Sequence, residues 1–207
     1  DPSPQIGFLQ EALRWWDKWL KGNPTGVEED PNYRIYLQDS ILPDRRIKHR
    51  PGQWIVEKDW PSTEIKHAKF YLTSNGILGG DASELNNTIK SPATCGFGAG
   101  SYFPMSSSVP EQSGDQRADD TYSLCFDGNP SKTTIDIVGR PKIKLTLKSD
   151  NQCGHLCVRL CDVSPEGSST RITYGLLNLA HRESHENPTP IPVDKEFSIE
   201  LELDQIA

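Results

Sequence analysis

EFSIELEL, residues 196–203, alternates apolar and polar side chains with the period of two that is typical of a β-strand with one buried face. Similar runs recur at residues 33–38, 53–58, 69–73, 121–127, 134–138, 142–148, 155–163 and 171–177. Turn sequences such as SPEG at residues 164–167 separate them. Short strands at this spacing predict a mainly β chain, folded as a two-sheet antiparallel β-sandwich of the jelly-roll type.

An amphipathic helix is predicted ahead of the strands, in IGFLQEALRWWDKWLKG at residues 6–22. Ser3 with Pro4 is typical of a helix start, and Gly22 with Pro24 just beyond it is typical of a stop. On a helical wheel, the apolar side chains fill one half of the cylinder and the charged side chains fill the other. The apolar half includes Phe8, Leu9, Leu13, Trp15, Trp16 and Trp19. Such a helix needs a broad apolar partner, which is either its own sandwich or another protein body.

Charge and composition narrow the class of protein. The 207 residues leave room for one β-rich domain with an appendage. Lys and Arg number 22 against 29 Asp and Glu, which gives a net charge of -7 and argues against a nucleic-acid partner. No apolar run approaches membrane-spanning length, and the N-terminus shows no secretory signal. These features predict a soluble protein without a membrane partner.

Five cysteines occur at positions 95, 125, 153, 157 and 161. Their odd number and their placement in strand-like runs predict free buried thiols, and therefore a reducing, cytoplasmic compartment. On a strand, Cys153, Cys157 and Cys161 would spread over about 27 Å, too far to share one metal ion. A redox or metal protein remains an alternative that rests on these cysteines alone.

Three motifs are too incomplete to predict a site. CGFGAGS at residues 95–101 lacks the third glycine and the following helix of a dinucleotide-binding loop. HRESHE at residues 181–186 lacks the glutamate after the first histidine that a zinc-protease helix requires, and prolines follow it. No Gly-x-Ser-x-Gly elbow is present. The residues therefore predict no catalytic, cofactor-binding or metal-binding side chain.

A long, weakly periodic stretch at residues 79–118 is predicted to be a loop, and loops of this length are usually functional or wrap a neighbour. It contains Tyr102 and Phe103. DQRADD, residues 115–120, follows as a dense cluster of Asp115, Arg117, Asp119 and Asp120. This cluster predicts either a solvated loop or an interdomain salt-bridge network.

Eight blocks, in this order, make the chain similar to the C-terminal part of the cocaine esterase-like and Xaa-Pro dipeptidyl-peptidase (peptidase S15) hydrolases. The blocks are IGFLQEALRWWDKWLKG, RIYLQDS, PGQWIVEKDWP, YLTSNGIL, DQRADDTYSLCFD, DIVGRPKIKLTLKSD, VRLCDVSPEGSSTRITYGLLNLAHR and IELELDQIA. The resemblance implies an upstream α/β-hydrolase domain that carries a Ser-His-Asp triad. Residues 1–31 would be the last helix and linker of that domain. Residues 32–207 would be a galactose-binding-domain-like jelly roll, preceded by that amphipathic helix and truncated at its C-terminal end.

The resemblance implies a non-catalytic domain that stabilises the catalytic domain and helps to wall its substrate entrance. The six apolar side chains of the helix would pack between domains, and Tyr102, Phe103, Asp115, Arg117, Asp119 and Asp120 would lie at an interdomain or substrate-facing wall. Implied partners are the catalytic domain, an ester or peptide substrate of the parent, and a second copy as a further option; no cofactor is implied. The alternative is an independent carbohydrate- or ligand-binding module that uses Trp54, Trp60, Tyr71, Tyr102 and Phe103.

Overall fold

The computed structural model of the protein describes residues 4–82, 84–97 and 112–207, which form two compact units. The helix unit comprises the described part of Asp1–Asp39 together with Arg46–Ala68. The sandwich unit comprises Ser40–Arg45 and the described part of Lys69–Ala207. The assignment of residues 1–31 to an upstream hydrolase domain concerns a longer protein and stays a prediction.

The helix unit contains α1 (Phe8–Lys21), a 3₁₀ turn (Val27–Glu29), and an antiparallel pair of strands, β1 (Tyr33–Gln38) and β2 (Gly52–Glu57). The predicted stop of α1 is confirmed. Gly22 adopts a left-handed φ of 72° and donates its N–H to the Lys18 carbonyl (2.9 Å), and Asn23 donates to the Asp17 carbonyl (3.0 Å). These two hydrogen bonds form a Schellman cap, which favours glycine because no Cβ opposes the left-handed conformation.

The predicted start of α1 at Ser3 and Pro4 is wrong, because the helix begins at Phe8. Gly7 precedes it and has no side chain that could cap the free N–H groups of the first turn. The Phe8 N–H instead donates to the Ile6 carbonyl at 2.7 Å, so the chain turns tightly just before the helix.

Within the described residues, no helix is long and apolar enough to cross a bilayer.

Among its described residues, the sandwich unit contains one further short helix and six strands. They are β3 (Tyr71–Leu72), β4 (Leu78–Gly79), α2 (Arg117–Asp120), β5 (Lys142–Lys148), β6 (His155–Val163), β7 (Ser169–Asn178) and β8 (Glu196–Glu202), with a 3₁₀ turn at Leu179–His181. β3 pairs with β4, β5 with β8, and β6 with β7, all antiparallel.

The core lies between the β5–β8 pair and the β6–β7 pair. Leu179, Ile191 and Ile199 are buried at its centre, and Leu145, Leu147, Leu156, Leu177 and Phe197 pack around them. On the outer side of the β5–β8 pair, Lys144 lies 2.9 Å from Glu200, and Lys142 lies 2.9 Å from Glu202. The alternation of residues 196–203 therefore separates core from solvent as predicted. The mainly β, antiparallel fold preceded by one amphipathic helix is confirmed, and the jelly-roll label stays a prediction.

Two predicted strands do not form. Residues 121–123 continue the turn after α2, since Tyr122 and Ser123 donate N–H groups to the carbonyls of Asp119 and Asp120. Residues 134–138 form no ladder within the described chain, and the first bridge beyond them joins Gly139 to Ile206. Ile135 is 67% exposed. An alternating sequence forms a strand only where a neighbouring strand pairs with it, and no described strand pairs with residues 134–138. The predicted strand at residues 69–73 shortens to β3.

Candidate functional site

The apolar face of α1 is exposed. Its predicted packing residues, Phe8, Leu9, Leu13, Trp15, Trp16 and Trp19, are between 48% and 75% exposed. The charged side chains of Arg14 and Lys18 are only 30% and 24% exposed. Trp15 and Trp19 touch each other at 5.7 Å between ring centroids, which joins them into one aromatic surface. The burial of this helix is the reverse of that expected for an amphipathic helix packed on its own core.

The cluster predicted from DQRADD forms α2 and a polar network that lies against β6 and β7. Arg159 on β6 donates to the Gln116 Oε1 atom and to the Asp120 Oδ1 atom, both at 2.8 Å. Its guanidinium also lies 3.1 Å from the Ser123 hydroxyl. Gln116 is fully buried, and the Arg159 side chain is 13% exposed. Because buried polar groups are stable only when they are paired, this network fixes the position of α2.

Asp119 fixes a second segment to α2. Its side chain is 4% exposed, and its Oδ1 atom accepts the Gly96 N–H at 2.8 Å. The Ser91 hydroxyl donates to the Tyr122 carbonyl at 2.7 Å, so the segment is held at two points. Phe97, directly after Gly96, is 80% exposed. The turn thus presents an aromatic side chain on a tethered loop. Tyr102 and Phe103, predicted for the same wall, lie outside the described residues.

Asp115 lies at the edge of the network. The Arg117 guanidinium holds the pKa of the Asp115 carboxyl well below its ordinary value, at about 2, and the backbone N–H groups of Arg117 and Ser169 also favour the ionised form. The Arg117 Nε and Nη2 atoms lie 2.9 and 2.6 Å from Asp115 Oδ2. Gln116, Arg159 and Ser169 were not among the predicted site residues, although an arginine within the apolar run HLCVRLC was an available signal.

Replacing Asp115 with asparagine is expected to remove an acid-sensitive part of the stability. A depressed folded-state pKa stabilises the fold above about pH 4, and this stabilisation is lost as the pH falls from about 4 towards 2. Because Arg117 is 61% exposed, solvent screening reduces the effect to about 1 kcal/mol. Urea unfolding at pH 2, 4 and 7 measures it, with Asp150→Asn, an exposed carboxylate after β5, as the control. Equal acid sensitivity of wild type and Asp115→Asn would contradict the assignment.

Two tryptophans suggested for a carbohydrate platform do not form one surface. Tyr36 and Trp54 pair across β1 and β2 at 5.2 Å between centroids, and Trp60 pairs with Tyr33 at 5.8 Å. Tyr33 and Tyr36 are three residues apart on a strand, so their side chains point to opposite faces. Trp54 and Trp60 are therefore each bound to a tyrosine on a different side of the strand pair.

The cysteines are free, as predicted, but the prediction that they are buried is wrong. Cys95 and Cys161 are half-buried, and Cys125, Cys153 and Cys157 are exposed. Cys157 lies opposite Leu176 on the outer face of the β6–β7 pair, and Leu176 is itself 64% exposed. Partial desolvation raises the pKa of the Cys125, Cys157 and Cys161 thiols, which disfavours the reactive thiolate.

HRESHE forms the end of a 3₁₀ turn and a bend instead of a helix. The rings of His181 and His185 lie 5.5 Å apart between centroids. In the described part of the chain, no group of three or more His, Cys, Asp or Glu side chains could hold a metal ion.

Residues 25–207 match the family described as the X-Pro dipeptidyl-peptidase C-terminal non-catalytic domain. The chain belongs to this family. The resemblance to the C-terminal part of peptidase S15-like hydrolases is therefore confirmed. Membership covers β1 to β8 and the DQRADD network, whereas α1 precedes the matched residues.

The proteins that are similar to this X-Pro dipeptidyl-peptidase C-terminal domain include longer hydrolases. Cocaine esterase of Rhodococcus sp. is 21% identical in an alignment of 214 residues, gaps included, and this alignment covers 94% of this chain and 35% of that protein. An aminopeptidase from a marine sediment Thaumarchaeota archaeon shares the fold with a TM-score of 0.68 at 18% identity, over 97% of this chain and 34% of the other. The CocE/NonD family hydrolase SACOL2612 of Staphylococcus aureus aligns with a TM-score of 0.59 at 16% identity, over 96% and 35%. The chain thus spans about a third of the length of these proteins.

Proposed function

We propose that this chain is the non-catalytic C-terminal portion of a serine hydrolase of the acyl esterase or X-Pro dipeptidyl-peptidase type. In this proposal it stabilises an upstream α/β-hydrolase domain and helps to shape the substrate entrance of that domain. The exposed apolar face of α1 carries the proposal. The names of the similar proteins, an esterase, an aminopeptidase and a hydrolase, support an ester or peptide substrate for the parent.

The exposed area supports a protein interface. Aromatic side chains bury roughly 150 to 250 Å² each, so three half-exposed tryptophans with their apolar neighbours present on the order of 1,000 Å². The largest apolar patch of an ordinary monomer is about 300 to 600 Å², and a standard protein interface buries about 800 Å² on each partner. α1 therefore offers enough apolar surface for one side of a stable interdomain contact.

The substrate-entrance role is supported by the tethered loop at Gly96. Asp119 holds this loop, and Phe97 projects from it into solvent. A hydrolase entrance requires a surface of fixed shape, and two hydrogen-bonded anchors on α2 and its turn provide one. We also propose a cytoplasmic location, which the free thiols support.

The chain alone is expected to show no hydrolysis of a p-nitrophenyl ester. The proposed nucleophile, base and acid belong to the upstream domain, and this chain has no nucleophile elbow. Release of p-nitrophenol, followed by absorbance, measures the activity, with buffer alone as the control. Turnover that a serine-directed inhibitor abolishes would overturn the proposal.

A further inference from the structure

We propose that Glu28 and Asp30 are positioning residues that hold α1 by its charged side, and that the aromatic face they leave free fits an uncharged apolar groove on another protein domain. The inference rests on the proposed function for the identity of that domain, the catalytic domain of the parent. The holding contacts themselves lie within the helix unit.

Two ion pairs join the segment that follows α1 to the charged side of the helix. Lys18 forms an ion pair with Glu28, and the Arg14 guanidinium donates to both carboxylate oxygens of Asp30, with 3.3 Å between Nη1 and Oδ1. The 3₁₀ turn Val27–Glu29 places the two acidic side chains, since Asp30 donates its N–H to the Val27 carbonyl. The segment predicted to be a polar linker is therefore a support for one side of α1.

The charges of α1 are matched inside the unit. Glu11 accepts from Arg14 at 3.1 Å and lies 3.7 Å from Arg34 on β1. Asp17 accepts from Lys21 at 2.6 Å. Together with the pairs to Glu28 and Asp30, every charged residue of α1 has a partner of opposite sign.

This pairing defines the chemistry of the partner surface. A helix that binds an anionic membrane uses unpaired Lys and Arg side chains on its polar face. The lysines and arginine of α1 are instead neutralised by carboxylates, and Lys18 lowers the pKa of the Glu28 carboxyl by hydrogen bonding. The exposed face contributes tryptophan, phenylalanine and leucine without charge. It fits a neutral apolar groove, which is the surface that an amphipathic helix meets in a protein partner.

Charge reversal tests the support on the chain alone. In Glu28→Lys with Asp30→Lys, amide hydrogen exchange of α1 is expected to accelerate at least 10-fold by mass spectrometry, because two attractive contacts become repulsive. The matched control is Glu29→Lys with Asp59→Lys, which changes the net charge equally at two exposed carboxylates of the same unit. Protection of β1 and β2 reports whether the unit still folds, and Glu28→Gln with Asp30→Asn replaces the reversal if it does not.

Restoring the pair separates specific positioning from a general loss of stability. Lys18→Glu combined with Glu28→Lys is expected to recover the slow exchange that each single change loses. Unchanged exchange in the reversal variant, or no recovery in the swap, would overturn the positioning role.

Liposomes of phosphatidylcholine with 30% phosphatidylserine test the partner class, since the chain is expected not to cosediment with them. Cosedimentation that is lost when Trp16 is changed would overturn the protein groove as the partner of this face and indicate a membrane surface instead. The exchange measurements need no partner, so the positioning role can fail while interdomain docking stands. The proposed function fails by a separate result, unchanged stability of the complete hydrolase when the aromatic face is altered.

Discussion

Replacing Gly175 with valine is expected to destabilise the sandwich unit by about 3 kcal/mol and to lower its melting temperature by about 10 °C. Gly175 lies on the core-facing side of β7. A Cβ atom there would lie 2.8 Å from Leu203 Cδ2 and 3.1 Å from the Glu202 carbonyl oxygen. The side-chain methyl can move, whereas the backbone oxygen belongs to the end of β8.

Two hydrogen bonds keep β7 at this short distance from the end of β8. Asp204 donates its N–H to the Tyr174 carbonyl at 2.9 Å, and the Thr173 hydroxyl donates to the Asp204 carbonyl at 2.8 Å. Thr173 is 4% exposed, so separating the strands would leave a buried hydroxyl without its acceptor, at a cost of about 1 to 3 kcal/mol. Valine must either break this contact or compress the core.

Differential scanning calorimetry measures the effect, and Gly80→Val is the matched control. Gly80 is exposed, and an added Cβ atom there meets nothing within 4 Å. The control should therefore melt within about 2 °C of wild type. Equal melting temperatures for the two variants would show that β7 and β8 are not packed as closely as the structure indicates.

Strands that carry their own alternation were predictable from the sequence. The predicted bounds of β1, β5 and β6 match the structure. In β5 apolar and polar residues alternate at the strand period, whereas β1 and β6 are short runs rich in apolar, aromatic or β-branched residues between turn sequences. Residues 121–127 and 134–138 show a similar alternation and do not form strands. The difference lies in pairing, which joins residues far apart in the chain, and a local pattern does not contain this information.

The candidate site was predictable in composition but not in arrangement. The wheel pattern separated the apolar and charged sides of α1, and the structure shows that the charged side is the less exposed one. No local rule predicts that Glu28 and Asp30 fold back onto Lys18 and Arg14. Asp119 likewise looked like one member of a solvated acidic run, yet it is buried because it accepts the Gly96 N–H, 23 residues earlier in the chain.

The largest functional effect is expected from changing Trp15, Trp16 and Trp19 together to glutamine. In the chain alone, the unfolding free energy should fall by only about 1 to 3 kcal/mol, because the three rings are about half exposed and glutamine is at least as good a helix former as tryptophan. In the complete hydrolase, each ring that fills a pocket contributes about 2 kcal/mol or more to docking. The triple variant should therefore lose about 4 to 6 kcal/mol of interdomain stabilisation.

Two measurements distinguish a docking surface on the catalytic domain from an apolar helix face that stays exposed or that binds a second copy. Thermal unfolding of the complete hydrolase should show the catalytic domain melting earlier in the triple variant, because domain docking stabilises both partners by mass action. Lys21→Gln is the control and should leave that transition unchanged. Lys21 lies on the opposite side of α1, and its ion pair within the helix is with Asp17. Sedimentation velocity of the chain alone tests a second copy as the occupant, since the triple variant would then convert a dimer to a monomer. A complete hydrolase that melts at the wild-type temperature without these three rings would exclude α1 as the contact between the domains.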